Sequence, residues 1–346
     1  MRLEINEFKN YRHLYNEFYR AADEKPVYYD LAVIESIQEL YQKKIHIAVL
    51  KNQRSIYALL PGWIFKNSFY SLNFRSFDNL QILIHSNHHN NCEIIYNFIN
   101  QLNKRFRFIK LSNFKRNPII ESMAVCNQKS RTCPVIFLPS SLDEYLGSLS
   151  KSFRRHLQKD IRSANSYDLK IRIIKNDDIM FTQTIINRLY ELHAERTQDK
   201  EIKSLFLWES SQLFHKSLMK AKKGNVLFTE VWQDDDCIGS LYGLVNSQSY
   251  AGISLGFKNS LHKISMGNLL FLETIKYLMK NGIYKFDFLR GKEKYKFHWT
   301  KDYYETYHYY LAQGIMRRLF AKKHYLTDQR KRFGWRNIIA NRMKSN

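Results

Sequence analysis

Over residues 285–299, KFDFLRGKEKYKFHW, the chain sets Asp287, Arg290, Glu293, Tyr295 and Lys296 among aromatic side chains. Carboxylate, guanidinium, phenol and ammonium groups in one short stretch are the materials of acid–base chemistry. The run 284–289 alternates, with Tyr284, Phe286 and Phe288 on one face and Lys285, Asp287 and Leu289 on the other, so a strand is expected. Asp287 on so apolar a strand is expected to be partly buried and to need a partner, and Arg290 is near enough to be one. Gly291 then turns the chain. Glu293 could act as general base and Tyr295 as general acid. A salt-bridge knot that pins the strand end would use the same residues, and the residues alone favour the knot.

A second stretch, LHKISMGNLLFL at 261–272, follows a strand that ends near Phe257. Its loop carries Lys263 and Ser265, and a helix starts at once. A helix start offers unpaired N–H groups and partial positive charge. Gly267 would let a phosphate approach the backbone, and Lys263 adds a mobile cation. An ordinary turn with Ser265 as N-cap has the same spacing. In KSFRRHLQKDIR, 151–162, Lys151, Arg154, Arg155, Lys159 and Arg162 form a basic stripe, with Phe153, Leu157 and Ile161 on another face. The stripe suits a substrate phosphate or carboxylate, or simply solvent. His85, His88 and His89 sit in an Asn-rich stretch that reads as a surface loop, so no metal is expected.

Elements must position these groups. Helices are expected at 10–22, 31–43, 91–102, 179–199, 205–222 and 266–280, with two more, capped by Ser141 and Ser150, and a strand inside 141–174. Strands are expected at 45–50, 55–60, 69–72, 79–83, 106–111, 133–138, 226–233, 237–246, 249–257, 284–289 and 303–312. The alternation predicts an α/β fold, and the similar element order of the two halves allows a duplicated one. A chain of 346 residues with 23 Tyr and 23 Phe has ample material for two cores.

Net charge is +23, from 55 basic against 32 acidic residues. Such a field favours nucleic acid, an anionic membrane face or a phosphorylated ligand, although a lysine-rich compositional bias would give the same figure. The residues 313–346 hold ten Lys and Arg and one acid, Asp328, with apolar residues at helical steps. One or two basic amphipathic helices are expected there. Cys92, Cys126, Cys133 and Cys237 form no CxxC pair, which suits reduced thiols in a cytosolic protein. The charged start lacks the apolar core of a secretory signal, and no apolar run approaches the length of a membrane span.

Together these stretches resemble the GNAT-superfamily acyltransferases of the CelD type, named for association with cellulose biosynthesis and related to FemAB/FemX aminoacyl transferases. SKSFRRHLQKDIR (150–162) resembles the family's Ser/Lys-x-x-Arg opening, and LYELHAERT (189–197) its central helix with an LH–R pattern. The most specific block is 250–299, with a glycine-led helix and then G-x-x-x-FDF-x-x-G-x-x-x-YK-x-x-W. The resemblance implies tandem GNAT-like (acyl-CoA N-acyltransferase) folds, each a mixed central sheet flanked by helices. The first is expected at 1–140 and the second at 141–312, with the basic tail at 313–346.

The resemblance also implies acyl-CoA as co-substrate, held by Lys263, Ser265, Met266, Gly267 and Asn268. This chain keeps one glycine there, where the family usually has Arg/Gln-x-x-Gly-x-Gly/Ala. By the same resemblance Asp287 and Arg290 fix the strand end, and Glu293 or a water accepts the amine proton. Tyr295 donates to the leaving group, and Lys296 meets an anionic substrate. Arg154, Arg155, Arg196 and Trp299 are expected on the substrate side. The implied acceptor is an amine on an anionic small molecule or a glycan- or lipid-linked group, used in envelope or exopolysaccharide assembly. Two rivals stand beside this: a Fem-like transferase using aminoacyl-tRNA, and a non-catalytic module for nucleic acid or a membrane surface. A cytoplasmic location is expected, with the tail docking on the anionic inner leaflet.

Overall fold

The computed structural model describes residues 1–73, 77–88, 91–179, 181–198, 204–221, 223–258 and 264–342. Two compact units share the chain. The first comprises Met1–Glu24, Lys44–Arg131 and Glu305–Asn346, and the second Lys25–Lys43 and Thr132–Tyr304.

In chain order the elements are β1 (Arg2–Glu7), α1 (Phe8–Ala21), α2 (Leu31–Tyr41), β2 (His46–Lys51), β3 (Ile56–Phe65), β4 (Ser68–Ser71), β5 (Leu83–Ile84), α3 (Asn91–Arg105), β6 (Phe108–Lys115), α4 (Pro118–Met123) and β7 (Cys126–Phe137). There follow α5 (Leu142–Ser148), α6 (Lys151–Ser166), β8 (Lys170–Lys175), α7 (Thr184–Arg196), α8 (Glu209–Ala221), β9 (Val226–Gln233), β10 (Asp236–Val245), β11 (Ser249–Phe257), α9 (Met266–Lys280), β12 (Lys285–Asp287), α10 (Lys296–Trp299), β13 (Tyr303–Leu311) and α11 (Ile315–Arg342).

The first unit builds a mixed sheet. β1, β2, β3 and β4 pair antiparallel in turn, β4 pairs parallel with β6, and β6 pairs antiparallel with β13. The second unit repeats the plan. β7 pairs antiparallel with β12, β12 parallel with β11, and β11, β10, β9 and β8 pair antiparallel in turn. In each unit a single crossover carrying a helix, α3 or α9, joins the two parallel strands. Parallel neighbours require such a crossover. The parallel contact is short in both: Ser68↔Phe108 to Tyr70↔Lys110, and Ser249↔Lys285 to Ala251↔Asp287.

The helix caps follow the sequence. Ser141 Oγ accepts from Glu144 N–H at 3.2 Å and Ser150 Oγ from Phe153 N–H at 3.3 Å, opening α5 and α6. On α6 the buried face runs through Phe153, Leu157, Asp160 and Ala164. Helix α7 is pinned to β9 by a buried ion pair: Arg188 Nη2 meets both Glu230 oxygens at 3.0 Å, and Trp232 Nε1–H donates to Glu230 at 3.1 Å. Where α7 crosses β11 only glycine fits, since a Cβ on Gly256 would lie 2.5 Å from the His193 nitrogen.

Some expectations changed. The charged start forms strand β1, paired along its whole length with β2. The strand expected at 79–83 reduces to a bridge at Leu80 and the two-residue β5. The basic tail is one helix, α11, through Arg342. Among the described residues no helix is long and apolar enough to cross a membrane.

Candidate active site

β12 covers only Ser249 to Ala251 of β11, and β11 runs on past it from Gly252 to Phe257. The C-terminal half of β11 is therefore left uncovered on that edge by β12. β11 bulges at this point: Tyr242 and Gly243 of β10 pair with Ser254 and Gly252, which leaves Ile253 as the extra residue, and a Cβ on Gly243 would strike the Tyr250 ring.

At the end of β12, Asp287 is 3% exposed. Its Oδ1 accepts from Leu289 N–H at 2.8 Å and its Oδ2 from the Tyr304 hydroxyl at 2.8 Å. The carboxylate thus shapes the turn that follows, in which Leu289 has φ 55° and Gly291 φ 121°. Lys296 was expected to meet an anionic substrate. It is instead 5% exposed and turned into the loop: its ammonium donates to Phe288 O at 3.2 Å and Arg290 O at 2.7 Å, and pairs with Glu293 at 3.0 Å. A buried ammonium needs such partners, and backbone carbonyls supply them here. Trp299 was expected on the substrate side. It is 1% exposed, with Phe153 at 5.0 Å and Phe271 at 5.9 Å, so it is a core side chain with no face to offer.

Outside this scaffold stand Glu293, Tyr295 and Arg196. The Glu293 side chain is about half exposed and bends over Gly291, where a Cβ would lie 2.1 Å from its carboxylate oxygen. The Tyr295 ring stacks on Phe271 of α9 at 6.0 Å and 8°. Desolvation first, and the Glu293 carboxylate second, raise the Tyr295 phenol to about 12, with Arg196 acting the other way. Arg196 ends α7 and lies over the Phe257 ring at 5.5 Å. Its Nε is buried with no hydrogen-bond partner among the described residues. Burial lowers the guanidinium pKa, opposed by Tyr295 and Glu293. Four elements thus converge: the end of α7, the end of β11, the first turns of α9 and the loop after β12. One turn before Arg196, His193 Nδ1 lies 2.9 Å from Leu255 O and 3.0 Å from Ser254 Oγ, which sets the helix on the strand.

The start of α9 is different. Ser265 occupies the N-cap position, but its side chain makes no cap hydrogen bond. Asp160 of α6, which the sequence reading passed over, supplies the cap. Its Oδ1 accepts from Ser265 N–H at 2.9 Å and its Oδ2 from Asn268 Nδ2 at 3.1 Å. The signal was present, because a carboxylate stands on the apolar stripe Phe153, Leu157, Ala164. Met266 is buried beneath Gly239, and Gly267 faces Leu255. Lys263 lies outside the described residues. Arg154 is half-buried and reaches Gly147 O at 3.4 Å, while Arg155 is exposed on the outer side of α6.

A cavity of about 390 Å³ opens in the first unit beside α3, α4 and β6, and shares no residue with this cluster. Among the described residues no group of three or more His, Cys, Asp or Glu is placed to hold a metal ion.

Residues 151–297 match the family model described as an acetyltransferase (GNAT) domain. A search by sequence among curated proteins returns no match. The structure of FemX is similar at TM-score 0.63 and 8% identity, covering 89% of this chain and 97% of that one. L-PGS from Bacillus licheniformis follows at TM-score 0.55 and 9% identity, covering 90% and 96%. A conserved protein of unknown function from Bacteroides thetaiotaomicron VPI-5482 gives TM-score 0.56 and 13% identity, covering 87% and 97%. At these identities the likeness fixes the fold alone. The match over residues 151–297 is to a GNAT-type acetyltransferase domain, a class of domain that implies acyl-CoA use. At the start of α9 the described residues do not suit the diphosphate of such a donor. Asp160 accepts from the N–H of Ser265 at the N-cap, and a second anion beside it would meet its charge.

Proposed function

We propose that the chain is an N-acyltransferase of the CelD type that its 267–299 block resembles. It would move an activated acyl group onto an amine of a sugar- or amino-acid-bearing acceptor, in cell-envelope or exopolysaccharide assembly. The carrying observation is the grouping of Tyr295, Glu293 and Arg196 beside the uncovered half of β11. Backbone N–H groups of an uncovered strand edge can polarise an acyl carbonyl. The neutral amine attacks that carbon. Glu293, directly or through a water, takes the proton lost by nitrogen. The bond from the acyl carbon to the leaving heteroatom breaks, and Tyr295 gives its proton to that atom before regaining one from solvent. Arg196 holds an anionic group of the acceptor, satisfying its buried Nε.

One reading of the donor has specific support. Asp160 at the start of α9 already accepts from Ser265 N–H at 2.9 Å, and its charge there favours an ester donor such as aminoacyl-tRNA over a CoA thioester with its diphosphate. The test supplies the full chain with labelled acetyl-CoA or labelled aminoacyl-tRNA and a panel of amino sugars and amino acids, and follows label into the amine. Transfer that falls in Tyr295→Phe and Glu293→Gln is expected. No transfer from either donor, or transfer untouched by both substitutions, removes the proposal.

A further inference from the structure

α11 has two faces with different chemistry. The inward face belongs to the first unit. Phe320 meets Phe108 edge-on at 5.7 Å, His324 stacks on Phe108 at 4.9 Å, and Tyr325 meets Tyr310 at 5.5 Å. Ala321 is fully buried between them, and Arg107 lies over Phe320 at 4.4 Å. Asp328, the tail's sole acid, turns inward to Lys110 and accepts from the Tyr310 hydroxyl at 2.8 Å.

The outward face carries Ile315 at 81% exposure, Met316 at 76%, Leu319 at 55% and Leu326 at 53%. Positions 315, 319, 322 and 326 follow helical steps, so they form one stripe. Arg317, Arg318, Lys322 and Lys323 are exposed on and beside it, and no acid occurs from 315 to 327. Large aliphatic groups in water beside cations are otherwise a cost to the chain.

We propose that this face of α11 is a docking surface for an anionic lipid membrane, with the aliphatic stripe entering the acyl boundary and the four cations on the headgroups. The sorting of side chains decides the occupant. Single-stranded nucleic acid is held by aromatic platforms as well as cations, and the described aromatics of α11 are turned inward. A second copy of the chain placed over the same face by a two-fold axis would set these cations against their own kind. A lipid surface rewards both the aliphatics and the cations. The proposal stands whatever reaction the second unit performs.

The full chain is mixed with phosphatidylcholine vesicles, with or without phosphatidylglycerol, and floated through a density gradient. The wild type is expected to rise with the phosphatidylglycerol vesicles only. Ile315→Ser/Met316→Ser/Leu319→Ser is expected to bind at least about tenfold more weakly, and Arg317→Gln/Arg318→Gln to lose binding that added salt no longer weakens much further. All substituted positions are exposed, so unchanged circular dichroism and melting temperature verify the fold of both variants. Wild type that stays at the bottom, or an aliphatic variant that floats equally well, overturns the proposal. So does a wild-type dimer that the aliphatic variant dissolves without any flotation, or retention of RNA but not vesicles.

Discussion

The two units carry the same device and use it differently. Each has one short parallel pair joined through a helix, closed at its third register position by Lys110 in the first unit and Asp287 in the second. In the first unit Lys110 is taken up by Asp328, and Phe108 on the same strand is covered by Phe320 and His324 of α11. In the second unit Asp287 folds a loop that displays Glu293 and Tyr295, beside an Arg196 whose Nε has no partner among the described residues. One copy is finished by its own C-terminal helix, while the other keeps charge and hydrogen-bonding capacity in reserve. Unmet polar groups cost stability, so where they persist function is the first explanation to test.

The contrast can be broken at its strongest point first. Tyr295→Phe should lower kcat of acyl transfer by about 10²- to 10³-fold with unchanged melting temperature. Lys110→Met in the first unit should leave kcat alone and release α11, seen as faster amide exchange there. Equal losses of kcat would erase the distinction. Lys296→Met strands two carbonyls beside a buried chain, and should cost about 2–3 kcal/mol in urea unfolding. Asp160→Asn removes the anion while keeping an acceptor for Ser265 N–H. It should cost about 1 kcal/mol and strengthen CoA binding by calorimetry, whereas unchanged CoA affinity would show that Asp160 bars nothing.

The smallest effect is in pH. Below pH 10 the Tyr295 phenol is protonated in both folded and unfolded chains and adds no pH dependence. As pH rises from 10 toward about 12 the unfolded chain loses that proton first, so folding stability falls across that window. Ultraviolet titration of wild type against Tyr295→Phe isolates this ionisation, and a midpoint near 10 would contradict it.

Much of the scaffold was legible because periodicity is written in the chain. Most strands of both sheets, α9 and the caps at Ser141 and Ser150 follow from alternation, helical spacing and hydroxyl placement. The stretch at 285–299 was legible as a charged loop after a strand, and 189–197 as a helix. The failures share a cause. Lys296 and Trp299 look like ligand-binding residues because their type is visible and their partners are not: carbonyls of Phe288 and Arg290, and rings from α6 and α9. Asp160 lies 105 residues before the backbone it caps, and no local pattern joins them. Strand β1 was hidden by charges that an edge strand tolerates.

The second unit joins segments far apart in the chain. The Lys25 carbonyl accepts from Asn246 Nδ2, 221 positions later, at 2.7 Å, and Glu39 accepts from Ser217 Oγ, 178 positions later, at 3.4 Å. α2 must therefore wait exposed until its partners around Ser217 and Asn246 have been made. The first unit waits in turn for Glu305–Asn346. The second unit is complete once Tyr304 has been made, ahead of the first, and slow translation between α2 and α8 would prolong the interval in which Ile34 and Ile37 lack their later partners.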